Sequence, residues 1–316
     1  MNDLLEALLD ELRESADMPA QASLYHLSNL EAEPAEHLRE VWRDLPVEVR
    51  QRLTKRLVEL AEADFEVDFG AVFRIGLTDE DTDVRTAAIE GLWEDEDVRL
   101  VPLLAAALRE DEALAVRTAA AASLGRFVLL GELEKIRPEP HAQAYEALLA
   151  TCQDAAEDVQ VRRRALESLA YAGDEAVAKL IDEAHDDPDE KVRISAVFAM
   201  GRSADSRWAR RVCQELVSPN PELRYEAARA SGELQISEAV PDLEELADDA
   251  DPEVQEAALW ALGQIGGEKA QQILERYCNA QDEATRTAAE AALDELEFLH
   301  GHLSDLFTRL IRESDR

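Results

Sequence analysis

The chain has 316 residues, 46% of them hydrophobic, with only 12 Gly and 11 Pro, which excludes collagen-like and low-complexity classes and leaves enough apolar material for a large core. Its formal net charge is -37. A field of that sign repels polyanions, so non-specific nucleic-acid binding is disfavoured unless a local basic patch exists, and basic or zwitterionic protein surfaces become the easier partners.

Among the cations only Lys55, Lys135, Lys179, Lys191 and Lys269 are lysine; the rest are arginine. Alanine, leucine, glutamate and arginine dominate, which favours helix. Cys152, Cys213 and Cys278 are far apart and form no CxxC, so a reducing compartment is expected, with the three thiols as small buried residues. The acidic amphipathic start, MNDLLEALLDELRE, is unlike a signal peptide, and no apolar run is expected to span a membrane. The expectation is a cytoplasmic protein with no membrane contact.

In chain order, residues 1–44 read as helices (LLEALLDELRE, ASLYHLSNL, AEHLREVW) and form the expected N-terminal cap. From there a short pattern, V-R-x-x-A-x-x-x-L-G, recurs. It is weak as VRQRLTKRLV at Val49, then clear as VRTAAIEGLW at Val84, VRTAAAASLG at Val116 and VRRRALESLA at Val161. It continues as VRISAVFAMG at Val192, LRYEAARASG at Leu223, VQEAALWALG at Val254 and TRTAAEAALD at Thr285. The last five starts are 31 residues apart; the earlier steps are 35, 32 and 45.

The first, fifth and ninth positions fall on one helical stripe. The fifth is small in seven copies: Ala88, Ala120, Ala165, Ala196, Ala227, Ala258 and Ala289. Acidic or Pro-containing turns precede each copy, such as DDPDEK at 186–191, SPNPE at 218–222 and DADPE at 249–253, and supply N-caps and first-turn prolines. Gly125, Gly201, Gly232 and Gly263 end their copies and read as C-terminal stops. An amphipathic stretch precedes each turn, for example AVAKLIDEAH, WARRVCQELV, AVPDLEELAD and KAQQILERYC. The unit is helix A, turn, helix B, turn, and no unit alone can bury its stripe. The long 45-residue step places an insertion at 127–143, where Pro138 and Pro140 predict a break in helix and an ordered loop.

This signature and period resemble HEAT repeats of the short, phycobilisome-lyase type over about residues 45–295. The resemblance implies an all-α fold, a right-handed α-solenoid of antiparallel two-helix repeats. It also implies that the V-R arginines form a ladder with turn acids: Arg85, Arg117, Arg162, Arg193, Arg224 and Arg286, with Gln255 in place of one. Residues 296–316 carry an apolar stripe, Leu296, Leu299, Leu303, Leu306, Leu310 and Ile311, readable as a capping helix or as a helix offered to a partner.

Catalytic motifs are not evident. None of His26, His37, His141, His185, His300 and His302 is followed by Glu, so the His-Glu iron ligands of deoxyhypusine hydroxylase, another HEAT-type protein, are missing, and His300-Gly-His302 is a poor metal pair because residues two apart on a helix diverge. No cofactor and no metal are expected.

If helix B lines the concave side, as the resemblance implies, its second, sixth and tenth positions after the V face outward. Those positions collect Arg126, Arg163, Tyr171, Ile194, Phe198, Arg202, Tyr225, Arg229 and Trp260. Aromatics and arginines dominate binding hot spots. The reading is a non-enzymatic scaffold that binds a protein or peptide, with carboxylates of the partner facing the arginines. The alternatives are a HEAT-like DNA glycosylase, which the charge opposes, and a chromophore- or small-molecule-binding protein of the phycobilin-lyase type.

Overall fold

The computed structural model describes residues 3–14 and 18–301, and among them every regular element is helical. Two compact units divide the chain at residue 169. The N-terminal unit holds α1 (Asp3–Glu14), α2 (Gln21–Leu24), α3 (Ala32–Trp42), α4 (Val47–Ala63), α5 (Gly70–Gly76), α6 (Thr82–Gly91), α7 (Leu100–Glu110), α8 (Leu114–Glu132), α9 (Pro138–Gln153) and α10 (Val159–Leu169). The C-terminal unit holds α11 (Glu175–His185), α12 (Glu190–Arg202), α13 (Ala209–Glu215), α14 (Pro221–Glu233), α15 (Val240–Leu246), α16 (Pro252–Ile265), α17 (Gly267–Tyr277) and α18 (Glu283–Leu296).

Within each unit, consecutive helices pack as pairs, and every second helix packs on its like: α4 on α6 and α6 on α8, then α12 on α14, α14 on α16 and α16 on α18. That is the packing of an α-solenoid, in which B helices stack on B helices. The seven signature alanines are all fully buried. Their small side chains bring the helices close, and Val84, Val116, Val161, Val254 and Leu223 seal the same stripe.

The turns fold as capping chemistry requires. The carboxylate of Asp81 accepts from the N–H groups of Asp83 and Val84, that of Asp189 from Lys191, and that of Asp251 from Glu253, while Asn220 does the same for Glu222. Pro221 and Pro252 stand in the first turn of α14 and α16, where their missing N–H costs nothing.

Three expectations change here. The insertion is helical, not a loop. Helix α8 runs on to Glu132, and only residues 133–137 separate it from α9, which Pro138 opens. Both prolines therefore start a helix rather than break one, and Val128 and Leu130 find cover in the core. Helix α8 is also long and apolar enough to cross a membrane by length and composition, with mean hydropathy 1.3. In this fold it is a core helix, packed on α6, α7 and α9 with Val116, Leu124 and Phe127 wholly enclosed.

Finally, the signature glycines are not stops. The left-handed residues that close α8, α12 and α14 are Glu134, Ala204 and Gln235. The glycines lie inside the helices, where a Cβ on Gly201 would come within 2.9 Å of Ala230 Cα, one on Gly232 within 2.9 Å of Ala261 Cα, and one on Gly263 within 2.6 Å of the Ala292 carbonyl oxygen. They let B helices touch backbone to backbone. Of the C-terminal stripe, Leu296 is buried at the end of α18; Leu303, Leu306, Leu310 and Ile311 lie outside the described residues.

Candidate functional site

The turns carry one recurring device. Arg85 donates from Nη1 to the carbonyls of Asp79 (2.9 Å) and Glu80 (3.0 Å) in its own turn. Its Nε and Nη2 donate to the two carboxylate oxygens of Asp111 in the next turn, at 2.8 and 2.9 Å. Arg117 repeats this with Asp111 and Glu112 carbonyls and the Glu157 carboxylate. Arg224 repeats it with Ser218 and Pro219 carbonyls and the Asp249 carboxylate at 2.7 and 2.8 Å. Each guanidinium thus staples two turns, with the planar fork matched to a carboxylate.

Arg224 holds the Asp249 carboxyl below the usual carboxylate range. At Asp111, burial pushes upward, but the hydrogen bonds from Arg85 and the Ala113 N–H outweigh it and the net shift is downward.

The other rungs are partial. Arg193 keeps its carbonyl contacts, to Asp187 and Pro188, and among the described residues the one carboxylate it meets is that of Glu190 in its own helix, at 3.5 Å. Gln255 keeps one carbonyl contact, to Asp249, and Arg286 keeps one, to Ala280. Arg162 has a buried Nε without a hydrogen-bond partner. The structure adds a rung that the weak first copy conceals. Buried Arg50 lies 3.4 Å from Asp79 and donates to Glu80 at 3.0 Å, while the Trp42 indole N–H donates to the same Asp79 at 2.6 Å.

The helix-B faces of the C-terminal unit carry Ile194, Phe198, Arg202, Tyr225, Arg229 and Trp260, whereas Tyr171 lies in the turn after α10, because that helix ends at Leu169. Ile194 is only 9% exposed and drops into the core, because the B helices touch so closely that position two of α12 is covered. The others remain half-buried or exposed. They are organised against one another. Arg229 stacks on Trp260, 3.7 Å from the ring centroid, and Arg202 lies 5.3 Å from the Phe198 ring. Between the two arginines stands Glu233, 3.5 Å from Arg202 and 3.8 Å from Arg229.

Burial raises the Glu233 pKa, opposed by the two guanidinium charges. The signature glycines make room for this cluster: a Cβ on Gly201 would meet the Glu233 carboxylate at 2.6 Å, and one on Gly232 would meet the Trp260 ring at 2.6 Å. Beside it, Tyr225, Arg229, Glu253, Glu256, Ala257 and Trp260 line a cavity of about 390 Å³. Arg202 and Arg229 share the one carboxylate of Glu233, which offsets one of their two charges and leaves the cluster less suited to a phosphate backbone.

In the N-terminal unit the B faces of α4, α6, α8 and α10 form a groove of about 610 Å³. Its walls include Glu62, Glu90, Trp93, Ser123, Arg126 and Arg164, and its floor is small: Ala115, Ala119 and Ala122. Burial, and then the charge of Glu62, raise the Glu90 pKa. Arg164 pairs with Glu167 at 2.5 Å, and Arg163 is half-buried and not free. Trp93 and Ser123 are site residues that the repeat pattern does not single out. The available signal was at Trp93, which takes the position where other copies have Gly.

The thiols do not converge. Cys152 donates to the Arg162 carbonyl at 3.7 Å, and burial pushes it up to about 12, against the pull of Arg162. A thiol so raised is a poor nucleophile. Among the described residues, no group of three or more His, Cys, Asp and Glu is placed to hold a metal; His302 lies outside them.

The sequence profile of the family described as HEAT repeats matches residues 71–159 and 209–294, more than half of the chain. The chain belongs to the HEAT-repeat family. Among solved structures, this HEAT-repeat protein is similar to yeast importin-β, with a TM-score of 0.56 and 13% identity over 93% of this chain and 46% of that one. It is similar to the Kap95:Nup1 complex, with a TM-score of 0.53 and 14% identity over the same shares, 93% and 46%. The chain thus spans just under half the length of these two. A third similarity is to the complex of CpcE and CpcF of phycocyanin lyase from Nostoc, with a TM-score of 0.48 and 19% identity over 72% of this chain and 94% of that one. No curated protein sequence matches the chain.

Proposed function

We propose that this HEAT-repeat protein is a non-enzymatic, cytoplasmic scaffold that holds a protein or peptide partner on its helix-B faces. The observation that carries the reading is the cluster of Phe198, Arg202, Tyr225, Arg229 and Trp260 around Glu233. Half-buried aromatic and arginine side chains, held rigid by mutual stacking, present area at low entropic cost. Glu253 and Glu256 rim the adjoining cavity, so a partner with a basic or zwitterionic surface is accommodated there. A fold of this kind is also found in a complex with Nup1, which supports the same use here.

The test is site-specific photo-crosslinking in the native cell. A photoreactive residue replacing Tyr225 should yield a defined crosslinked partner, and one replacing the exposed Lys179 of α11 should not. The triple variant Phe198→Ala, Tyr225→Ala, Trp260→Ala should then lose capture of that partner with helicity unchanged. Equal crosslinking from both positions, or intact capture by the folded triple variant, sinks the proposal.

A further inference from the structure

Each complete rung uses its guanidinium in one way: Nη1 takes carbonyl oxygens and the Nε–Nη2 edge takes a carboxylate. Arg126, inside α8 and ten residues after Val116, repeats half of that wiring. Its Nη1 donates to the carbonyls of Leu92 (2.9 Å) and Trp93, just past the C-terminal end of α6. Its Nε and Nη2 are buried and have no hydrogen-bond partner among the described residues. Nearly one turn earlier on α8, the Ser123 hydroxyl is also buried and unpartnered. Both residues line the 610 Å³ groove. An unmet buried donor costs about 1–3 kcal/mol, so three in one wall need an account.

We propose that this groove binds an organic carboxylate, whose oxygens accept from Arg126 Nε–H, Arg126 Nη2–H and the Ser123 O–H while its apolar body lies on Ala115, Ala119 and Ala122. The side-on edge is the one that Asp111, Glu157 and Asp249 occupy on the ladder arginines. A monoanion fits better than a phosphate dianion, because Asp95 and Glu96 already act on Arg126 and Glu62 and Glu90 share the groove. Burial lowers the Arg126 pKa from its ordinary value, but a guanidinium stays charged across the physiological range, so the site keeps its cation. The donors lie beneath the surface, and Trp93, 49% exposed among the groove residues, is the side chain free to move aside for an entering acid. The site needs no protein partner, so it stands or falls separately from the scaffold reading.

The experiment titrates the full-length protein with N-acetyl-leucine, its primary amide and inorganic phosphate, reading the arginine Nε–Hε resonances by NMR and affinity by calorimetry. The acid should bind with a Kd on the order of 1 mM or tighter and shift one Nε–Hε resonance, which is absent in Arg126→Lys. The amide and phosphate should each bind at least ~10-fold more weakly. Arg126→Lys keeps the charge but lacks the fork, and should weaken the acid ~10-fold. Ser123→Ala removes one donor with little risk to folding and should weaken it about threefold at an unchanged melting temperature. A longer N-acetylated peptide ending in leucine assigns the source: tighter binding than the single residue means a peptide C terminus, equal or weaker binding a free acid. Equal binding of acid and amide, tighter binding of phosphate, an unshifted Nε–Hε spectrum at saturating acid, or full binding by a folded Arg126→Lys overturns the proposal.

Discussion

In the N-terminal unit the helix-B starts lie 35, 32 and 45 residues apart, yet Arg50, Arg85 and Arg117 each reach an acid in the next turn: Asp79, Asp111 and Glu157. In the C-terminal unit the spacing is a constant 31, yet only Arg224 closes a full bidentate rung among the described residues. What that unit has instead is backbone contact at Gly201, Gly232 and Gly263, one glycine in each of α12, α14 and α16. The N-terminal unit has a comparable approach at Gly125, whose Cβ would lie 3.1 Å from Ser168 Cα. The contrast has a mechanical reading. An arginine is long and flexible enough to absorb an uneven repeat. A glycine contact is not, because slipping the helix by one residue turns the bare backbone away by about 100° and puts a side chain in its place. Constant period goes with contacts that have no reach.

The largest way to break the comparison is therefore at a glycine. Gly232→Ala should destabilise by about 3 kcal/mol in chemical denaturation, because its Cβ would press on both the Trp260 ring and the Ala261 backbone, neither of which can yield alone. Gly173→Ala meets nothing within 4 Å and serves as the control, neutral or slightly stabilising. If the two variants denature alike, the backbone-contact account of the constant period is wrong.

The next effect is at a complete rung. A double-mutant cycle on Arg85→Ala and Asp111→Ala should give a coupling of about 2 kcal/mol near pH 7, since both groups are largely shielded and meet bidentately. Its pH dependence comes from the lowered Asp111 pKa. The native state binds the carboxyl proton less readily than the unfolded chain does. The stabilisation is thus fully present above the unfolded carboxylate value of about 3.9 and is lost as pH falls through the lower folded value. The coupling should be flat from pH 7 to about 5 and decline below about 4. A coupling that survives at pH 2 would mean that packing, not charge, holds the rung.

How far the sequence discloses this arrangement varies by residue type. The V-R register locates the repeat helices and the buried alanines, because a 3.6-residue stripe is visible one residue at a time. It also places Asp79, Asp111 and Asp249 five residues before a V, where each meets the preceding arginine. The register does not decide the rung alone, since Asp187 holds the same place and leaves the Arg162 Nε unpartnered, while Arg117 passes over Ala156 to take Glu157. Gly201 and Gly232 mislead because a glycine near a helix end looks the same whether it turns the chain or admits a neighbour. Pro138 misleads because a first-turn proline and a helix-breaking proline differ only in whether the residues after them continue a helical stripe. Ile194 misleads because its cover comes from another helix. The unpartnered edge of Arg126 is out of reach of any pattern, since it depends on where the end of α6 places two carbonyls.

The smallest prediction sharpens the comparison by repair. Ser218 stands where Asp249 stands one repeat later, and its hydroxyl accepts from the Asn220 N–H at 3.4 Å as the Asp249 carboxylate accepts from the Asp251 N–H at 2.9 Å. Ser218→Asp keeps that turn bond, strengthens it with charge, and offers Arg193 a carboxylate in the next turn beside its 3.5 Å contact with Glu190. Arg193 already has Nη1 fixed on the Asp187 and Pro188 carbonyls, so little further ordering is needed. Against the gain stands one more negative charge on a chain at -37, which acts at longer range and is screened by salt. The close pair should win, with a net stabilisation of about 1 kcal/mol at physiological ionic strength. In an Arg193→Ala background the same substitution should bring no gain. A gain that persists without Arg193 would assign it to the turn bond alone, and the missing acid would no longer explain the gap in the ladder.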